Sequence, residues 1–324
     1  MTGFSPATIS NALNHKKGVN RETAEEIFRV ARETGYLSAN AVTKIRLVIF
    51  KKNGQILEET PFFQQMIEGI EEECHRLGYE MVISHVDQRN PNYQKQVRDL
   101  LEEQGVGIIL LGTEMMDGDL SLYRNASCPV LLLDHWTELM DFNSVLINNA
   151  DAARAITEHL LDNGHREVGY LRGNYRIKAF RSRFIGFQTA LKKYKVPYKE
   201  EYTVTVGTYM STACQDMLEY LKKKPKLPTA FFADNDIIAL GAMKALQEMG
   251  YRIPEDISIV GFDDLTFSEI SSPPLTTLRV EKREMGKMAV RRLVELIDGI
   301  GTSTVTKIQV CPKIIYRNTV KNIK

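Results

Sequence analysis

The chain is 324 residues long, 43% hydrophobic and 26% charged, with a formal net charge of +1. That length suggests two or three domains at ~100–200 residues each, and near-neutrality excludes a molecule that coats nucleic acid by bulk charge. No apolar run approaches the ~18 residues of a membrane span. Met1–Ala12 is polar where a signal peptide would be apolar, so a cytoplasmic protein is expected. The four cysteines, Cys74, Cys128, Cys214 and Cys311, form no Cys-x-x-Cys pair. They read as reduced thiols with no metal cage, and no cofactor is expected.

The first 45 residues show no strand pattern. Ser5 is a candidate N-cap and Pro6 a first helical residue for a short helix over Pro6–Asn14. Asn20 starts a second helix over Arg21–Thr34, with Ala24, Ile27, Phe28 and Ala31 on one face and Gly35 as its stop. Residues 1–46 hold seven Lys/Arg against four Glu, a small positive bias that suits either a phosphate footprint or an ordinary helical surface.

From Arg46 onward strands and helices alternate. Apolar runs at Leu47–Phe50, Val106–Leu111 and Pro129–Leu133 and a strand-like stretch at Tyr79–Ser84 are interspersed with helical spacings over Pro61–Leu77 and Asn92–Glu103. The rhythm restarts after Asn149. Helices are expected over Ala150–Asn163, Phe180–Tyr194, Thr212–Lys223 and Asp236–Met249, and strands over Val168–Leu171, Tyr202–Val206, Ala230–Ala233 and Ile257–Phe262. A last helix, Glu281–Gly299, precedes a strand region over Thr304–Tyr316. Continuous apolar runs between helices are the pattern of parallel strands covered on both faces. Two such arrays predict an α/β fold of two doubly wound lobes, with ligand beyond the strand carboxyl ends and a cleft between facing lobes as the expected site.

One segment is suited to DNA. Ser5, Thr8, Ser10, Asn11 and Asn14 set short polar groups on one helix face, while Ile9, Ala12 and Leu13 fill the other. Such a face can approach a major groove, although a polar surface helix would look the same.

The string Gly3-Phe4-Ser5-Pro6-Ala7-Thr8-Ile9-Ser10-Asn11-Ala12-Leu13-Asn14, with Arg21-Glu22-Thr23 and Gly35-Tyr36 after it, resembles the headpiece of LacI/GalR-family regulators. The resemblance continues through Asn163-Gly164-His165, Ala233-Asp234-Asn235-Asp236 with Ala239-Leu240-Gly241, Val260-Gly261-Phe262-Asp263-Asp264 and Pro274-Leu275-Thr276-Thr277. Each is weak alone, and their shared order is specific. The resemblance implies type I periplasmic-binding-protein-like lobes behind a partial helix-turn-helix segment. The expected domains are a headpiece and hinge at 1–45, an N-terminal lobe at 46–148 plus 278–303, and a C-terminal lobe at 149–277 plus 304–324. It implies a repressor that binds operator DNA as a homodimer and senses a small effector, a sugar or a nucleobase.

By the same resemblance Pro6, Ala7 and Asn11 fall where relatives read bases, and Ser5, Thr8, Ser10 and Asn14 where they hold phosphates. Asp134, Arg183, Asn235 and Asp263 fall in the effector cleft. Arg183 offers a planar fork for adjacent hydroxyls; the two Asp follow apolar strands and can accept from hydroxyls. Phe62, Phe63, Trp136 and Tyr209 are candidates to stack on a sugar ring, with Phe62 and Phe63 equally readable as core. Asp236 and Asp264 are read as helix N-caps.

The pattern departs from the family in two places. Family headpieces carry a helix of about a dozen residues before the Gly-x-Ser turn, which covers the recognition helix; here Gly3 stands two residues after Met1. Without that cover Ile9 and Leu13 lose a packing partner. Gly35-Tyr36-Leu37-Ser38-Ala39-Asn40 also lacks the family's Pro, leaving Val42 and Ile45 as candidate minor-groove wedges. DNA binding by this chain is therefore expected to be weak or absent.

An enzyme and a sugar-binding protein are the alternative readings of the sequence. An enzyme is disfavoured, because there is no Gly-x-Gly-x-x-Gly, P-loop, His-Glu-x-x-His or Gly-x-Ser-x-Gly. A sugar-binding protein, secreted for transport or acting as a sensor without DNA binding, would share the same lobes.

Overall fold

The computed structural model describes residues 2–13, 18–34, 36, 42–58, 61–299 and 304–324. The chain divides into two compact units. Unit 1 comprises Met1–Asn53, Phe63–Leu146 and Lys282–Ile308, and unit 2 comprises Gly54–Phe62, Ile147–Glu281 and Gln309–Lys324.

In chain order the first elements are α1 (Pro6–Leu13), α2 (Arg21–Glu33), β1 (Lys44–Lys51), α3 (Phe62–Arg76), β2 (Glu80–Asp87), α4 (Tyr93–Glu102), β3 (Val106–Leu111), β4 (Val130–Leu133) and β5 (Asn143–Ile147). There follow α5 (Asn149–Asp162), β6 (Val168–Gly173), α6 (Lys178–Lys193), β7 (Thr203–Val206), α7 (Met210–Lys222), β8 (Ala230–Ala233), α8 (Asp236–Glu248) and β9 (Ser258–Val260). The last are α9 (Thr266–Ile270), β10 (Thr277–Arg279), α10 (Lys282–Ile297), β11 (Lys307–Val310) and β12 (Lys313–Ile315).

The main sheet of unit 1 runs β11-β5-β4-β3-β1-β2. Its β1–β2, β1–β3, β3–β4 and β4–β5 pairs are parallel, with Leu47 opposite both Ile83 and Ile109, and Leu110 opposite Leu132. All of β3 is buried, which is why Val106–Leu111 reads as an unbroken apolar run instead of an alternation. Unit 2 has a parallel sheet in the order β7-β6-β8-β9 and a two-stranded ribbon of β10 with β12. Its β8, Ala230–Ala233, is likewise buried throughout. The expected α/β class with parallel sheets is thus present. Among the described residues no helix is long and apolar enough to cross a membrane.

The N-terminal segment is helical. Ser5 caps α1, its Oγ accepting from the Thr8 amide at 3.1 Å, and Asn20 caps α2 through the Thr23 amide at 2.8 Å. Ile27, Phe28 and Ala31 are buried as the periodicity predicts, while Ala24 is half-buried. Helix α1 packs on α2, so Ala12 is buried and Ile9 and Leu13 half-buried. The expectation for Ile45 is corrected: it lies inside β1, paired with Met81 and Gly107 and fully buried, so it has no free side chain to wedge between bases. Val42, just ahead of that strand, is half-buried.

Strand β5 has no counterpart in the sequence reading. It begins with polar Asn143-Ser144 and is short. Asn143 is nonetheless buried, because its Oδ1 accepts from the Arg292 guanidinium (2.9 Å) and the Thr306 amide (2.9 Å). Paired donors offset the cost of burying an amide that hydropathy alone would place on the surface.

Candidate functional site

Parallel strands deliver their carboxyl ends to one edge of each sheet. In unit 2 that edge carries residues from β6, β8 and β9, and the side chain that gathers them is Arg183 on α6. Arg183 is 4% exposed. Its Nε donates to Asn149 Oδ1 at 2.8 Å, one Nη to the Asp234 carbonyl at 2.6 Å, and the other Nη to Asp263 Oδ1 at 3.4 Å. The guanidinium carbon stands 3.6 Å from the centre of the Phe262 ring, a stacked cation geometry. These bonds use three of the five guanidinium donors.

Why Arg183 finds Asn149 is explained by Gly186. A Cβ there would lie 2.1 Å from the Ala150 carbonyl oxygen. The glycine lets α6 approach the first turn of α5 backbone to side, which puts Asn149 beside the arginine one turn earlier on α6.

Asp263 follows β9 and Phe262. It is buried at φ 115°, its amide bonded to the Leu278 carbonyl at 2.9 Å. Such a φ is costly for a residue with a side chain, and strain of this kind gathers at ligand sites. Asn235 is buried and caps α8, its Oδ1 accepting from the Ile238 amide at 3.0 Å. Its side-chain amide nitrogen is not needed for that cap. Tyr209 is half-buried at the N-cap position of α7, with its carbonyl accepting from the Ala213 amide.

Two neighbouring aspartates differ from their expected roles. Asp236 does not cap α8, since Asn235 does. Asp236 lies fully buried, accepting at one oxygen from the Leu265 amide (2.9 Å) and Ser268 Oγ (2.6 Å), and at the other from Thr277 Oγ1 (2.5 Å). Burial, and next to it the charge of Asp263, push its pKa up to about 7. Asp264 does not cap α9, whose N-cap is Leu265. It pairs with Arg279 at 2.6 Å and Arg317 at 2.7 Å.

Unit 1 has its own strand-end group. Asp134 directly follows β4 at φ 55°, is buried, and accepts from Thr113 Oγ1 at 2.7 Å. His135 is buried with Nδ1 3.0 Å from the Gly112 carbonyl. Trp136 is 40% exposed, and the Lys307 ammonium sits 4.7 Å from its ring centre. Phe63 in unit 1 and Phe62 in unit 2 are both buried.

Sequence reasoning passed over Asn149, Phe262 and Asp234. Asp234 is wholly buried immediately after an all-apolar strand. Its carboxylate accepts from Tyr170 Oη at 2.5 Å, from the Gly173 amide at 2.8 Å, and from Arg176. Burial raises its pKa against the pull of Arg176 and these donors. The tyrosine, fully buried beside that carboxyl, is held well above its ordinary pKa and stays a donor. The available signal was a charged residue placed directly after four buried apolar positions. Asn149 could be found only from the tertiary contact that Gly186 permits.

On α1, Ser5, Pro6, Ala7 and Ser10 are exposed, while Thr8 and Asn11 are half-buried. The Ser5 and Thr8 hydroxyls bond each other at 2.9 Å. Asn14 lies outside the described residues. Among the described residues no cluster of three or more His, Cys, Asp or Glu is placed to hold a metal.

A family model, "periplasmic binding protein-like domain", matches residues 157–320. The chain is 30% identical over 327 residues to the HTH-type transcriptional repressor PurR of Mannheimia succiniciproducens, covering 100% of this chain and 97% of the relative. Among solved structures it is similar to a complex of the transcriptional regulator CelR with cellobiose, at TM-score 0.76 and 25% identity over 98% of this chain and 97% of that one. It is also similar to the lac repressor dimer bound to operator and the anti-inducer ONPF, at TM-score 0.73 and 25% identity over 99% and 96% of the two chains. Agreement over nearly the full length, through the helical segment and both parallel sheets, places this chain in the LacI/GalR family of transcriptional regulators.

Proposed function

We propose that this protein is a cytoplasmic repressor that binds operator DNA as a homodimer and releases or gains that DNA in response to a carbohydrate effector, without catalysing a reaction. The observation that carries the effector reading is Arg183: a buried, stacked guanidinium fixed by Asn149, the Asp234 carbonyl and Asp263, with two donors beyond those bonds. A planar donor pair beside acceptor carboxylates matches vicinal hydroxyls, which both donate and accept. We assign effector contacts to Arg183, Asp263, Asn235 and Tyr209 in unit 2, and to Asp134 and Trp136 in unit 1. Phe62 and Phe63, buried like Arg183 and Asp263, stand as further candidates to face the sugar ring. The cellobiose in the CelR complex supports a sugar as ligand class. The exposed faces of Pro6, Ala7 and Ser10, with Asn11, suit base and phosphate contacts, and the operator in the lac repressor complex supports that assignment.

The test is to enrich DNA from a random-sequence pool on the purified chain and then titrate sugars into a mobility-shift assay. A DNA sequence that is retained and whose retention changes with one sugar supports the reading. Sugar binding with no enriched DNA would instead identify a sensor that does not bind DNA.

A further inference from the structure

Helix α2 does more than pack on α1. Gly78 turns the chain at the end of α3 with φ 72°, and a Cβ there would lie 3.0 Å from Arg29 Cγ, 3.2 Å from the Arg29 carbonyl oxygen and 3.3 Å from its Cα. The backbone of α2 therefore rests on the α3 corner, where Leu77 and Tyr79 are buried on either side of the glycine. Beside that contact, Arg76 Nη1 donates to Glu25 of α2 at 3.1 Å, and its Nε and Nη2 donate to Glu73 of α3 at 3.2 and 2.7 Å. Glu73 is buried and accepts in addition from Arg291 of α10 at 2.7 Å. Burial alone would raise the pKa of Glu73, yet Arg76 and Arg291 outweigh it and hold the group ionised.

We propose that Arg76 is a latch that seats the headpiece on unit 1, through the chain Glu25–Arg76–Glu73–Arg291, so that α2 moves with α3 and α10 instead of hanging on its linker. Helices α3 and α10 meet at one buried carboxylate, and Arg76 reaches from it to Glu25 of α2. Any ligand that shifts α3 against α10 then alters the seat of α2, and by linkage the seat biases the ligand equally. That α2 carries the DNA-reading α1 rests on the function proposed above; the docking itself does not, and its test needs neither DNA nor sugar.

The experiment is hydrogen–deuterium exchange of the full chain, read on the amides of α2, for the wild type, Arg76→Ala, Glu25→Ala and the double variant. Half-exposed ion pairs are weak, so each single variant is expected to speed α2 exchange by about two- to fivefold. The double variant is expected to fall short of the sum of the two single effects, because Glu25 and Arg76 bond each other. High salt should erase the difference from wild type. Glu25→Ala changes only the headpiece side, so it remains informative if Arg76→Ala disturbs α3. Unchanged α2 exchange in both single variants, or additive effects in the double variant, would overturn the latch.

Discussion

Arg183 Nε donates to Asn149 Oδ1 across 2.8 Å, joining the middle of α6 to the first residue of α5. This bond orients the guanidinium so that its remaining face meets the Asp234 carbonyl and Asp263. Arg183→Ala removes all three bonds at once, among them the ion pair with the buried Asp263. It is expected to lose effector binding and to destabilise unit 2 by about 2–4 kcal/mol while leaving it folded. Thermal melting and calorimetric titration of the variant check both.

Gly186→Ala acts on the same bond from a distance. The added methyl would meet the Ala150 carbonyl at 2.1 Å, and overpacking of this kind costs about 1–3 kcal/mol. The α5–α6 spacing must open, which draws Asn149 away from Arg183. The expected outcome is a lower melting temperature together with weaker effector binding, although residue 186 makes no contact with the guanidinium in any bond described here. A melting temperature equal to wild type would contradict the close approach.

Asn235 has two separable roles. Its Oδ1 caps α8, and its amide nitrogen is assigned to the effector. Asn235→Ser keeps an N-cap acceptor and should hold stability within about 0.5 kcal/mol, whereas Asn235→Ala should cost about 1 kcal/mol. Both should weaken effector binding. Melting curves and titrations of the pair separate the cap from the contact, and unaltered affinity in both would remove Asn235 from the site.

Asp236 gives a pH dependence of defined sign. Its pKa rises from an ordinary 3.8 to about 7 on folding. Below the lower value the carboxyl is protonated in both folded and unfolded chains and contributes no pH-dependent penalty. As pH climbs between the two values, the unfolded chain releases the proton while the folded chain retains it, so stability falls. Above the upper value the loss is complete, on the order of a few kcal/mol. Asp236→Asn, a neutral amide that can donate to Thr277 and accept from Ser268 and Leu265, should flatten this slope. Melting temperatures across that window, wild type against variant, measure it; parallel slopes would show that Asp236 is ionised in the folded protein.

Much of the architecture was readable because parallel strands are plain in hydropathy. Val106–Leu111 was placed to the residue, and α3, α4 and α10 to within a few residues. Among the α-helices and strands, β5, α9 and β10 have no counterpart in the sequence reading, and each is short and partly polar. Their polar residues, such as Asn143, Ser268 and Thr277, are buried by hydrogen bonds that join distant segments. The site divides in the same way. Arg183 and Asp263 could be picked out by motif, and the structure brings them together. Asn149 and Tyr170 could not, because each is recruited by a fold contact and not by spacing. The passing of the α8 cap from Asp236 to Asn235 has the same origin. Either residue could cap α8 by sequence, and the three buried donors waiting for a carboxylate decide which one does.

The central claim is that a sugar binds at the Arg183 group. The most direct measurement is thermal stability of the wild type and Arg183→Ala against a panel of mono- and disaccharides that includes ribose and cellobiose, with purine bases as the contrasting class. A sugar is expected to raise the melting temperature of the wild type and to leave that of Arg183→Ala unmoved. Stabilisation by a purine base alone, or equal stabilisation of both proteins by a sugar, would contradict it.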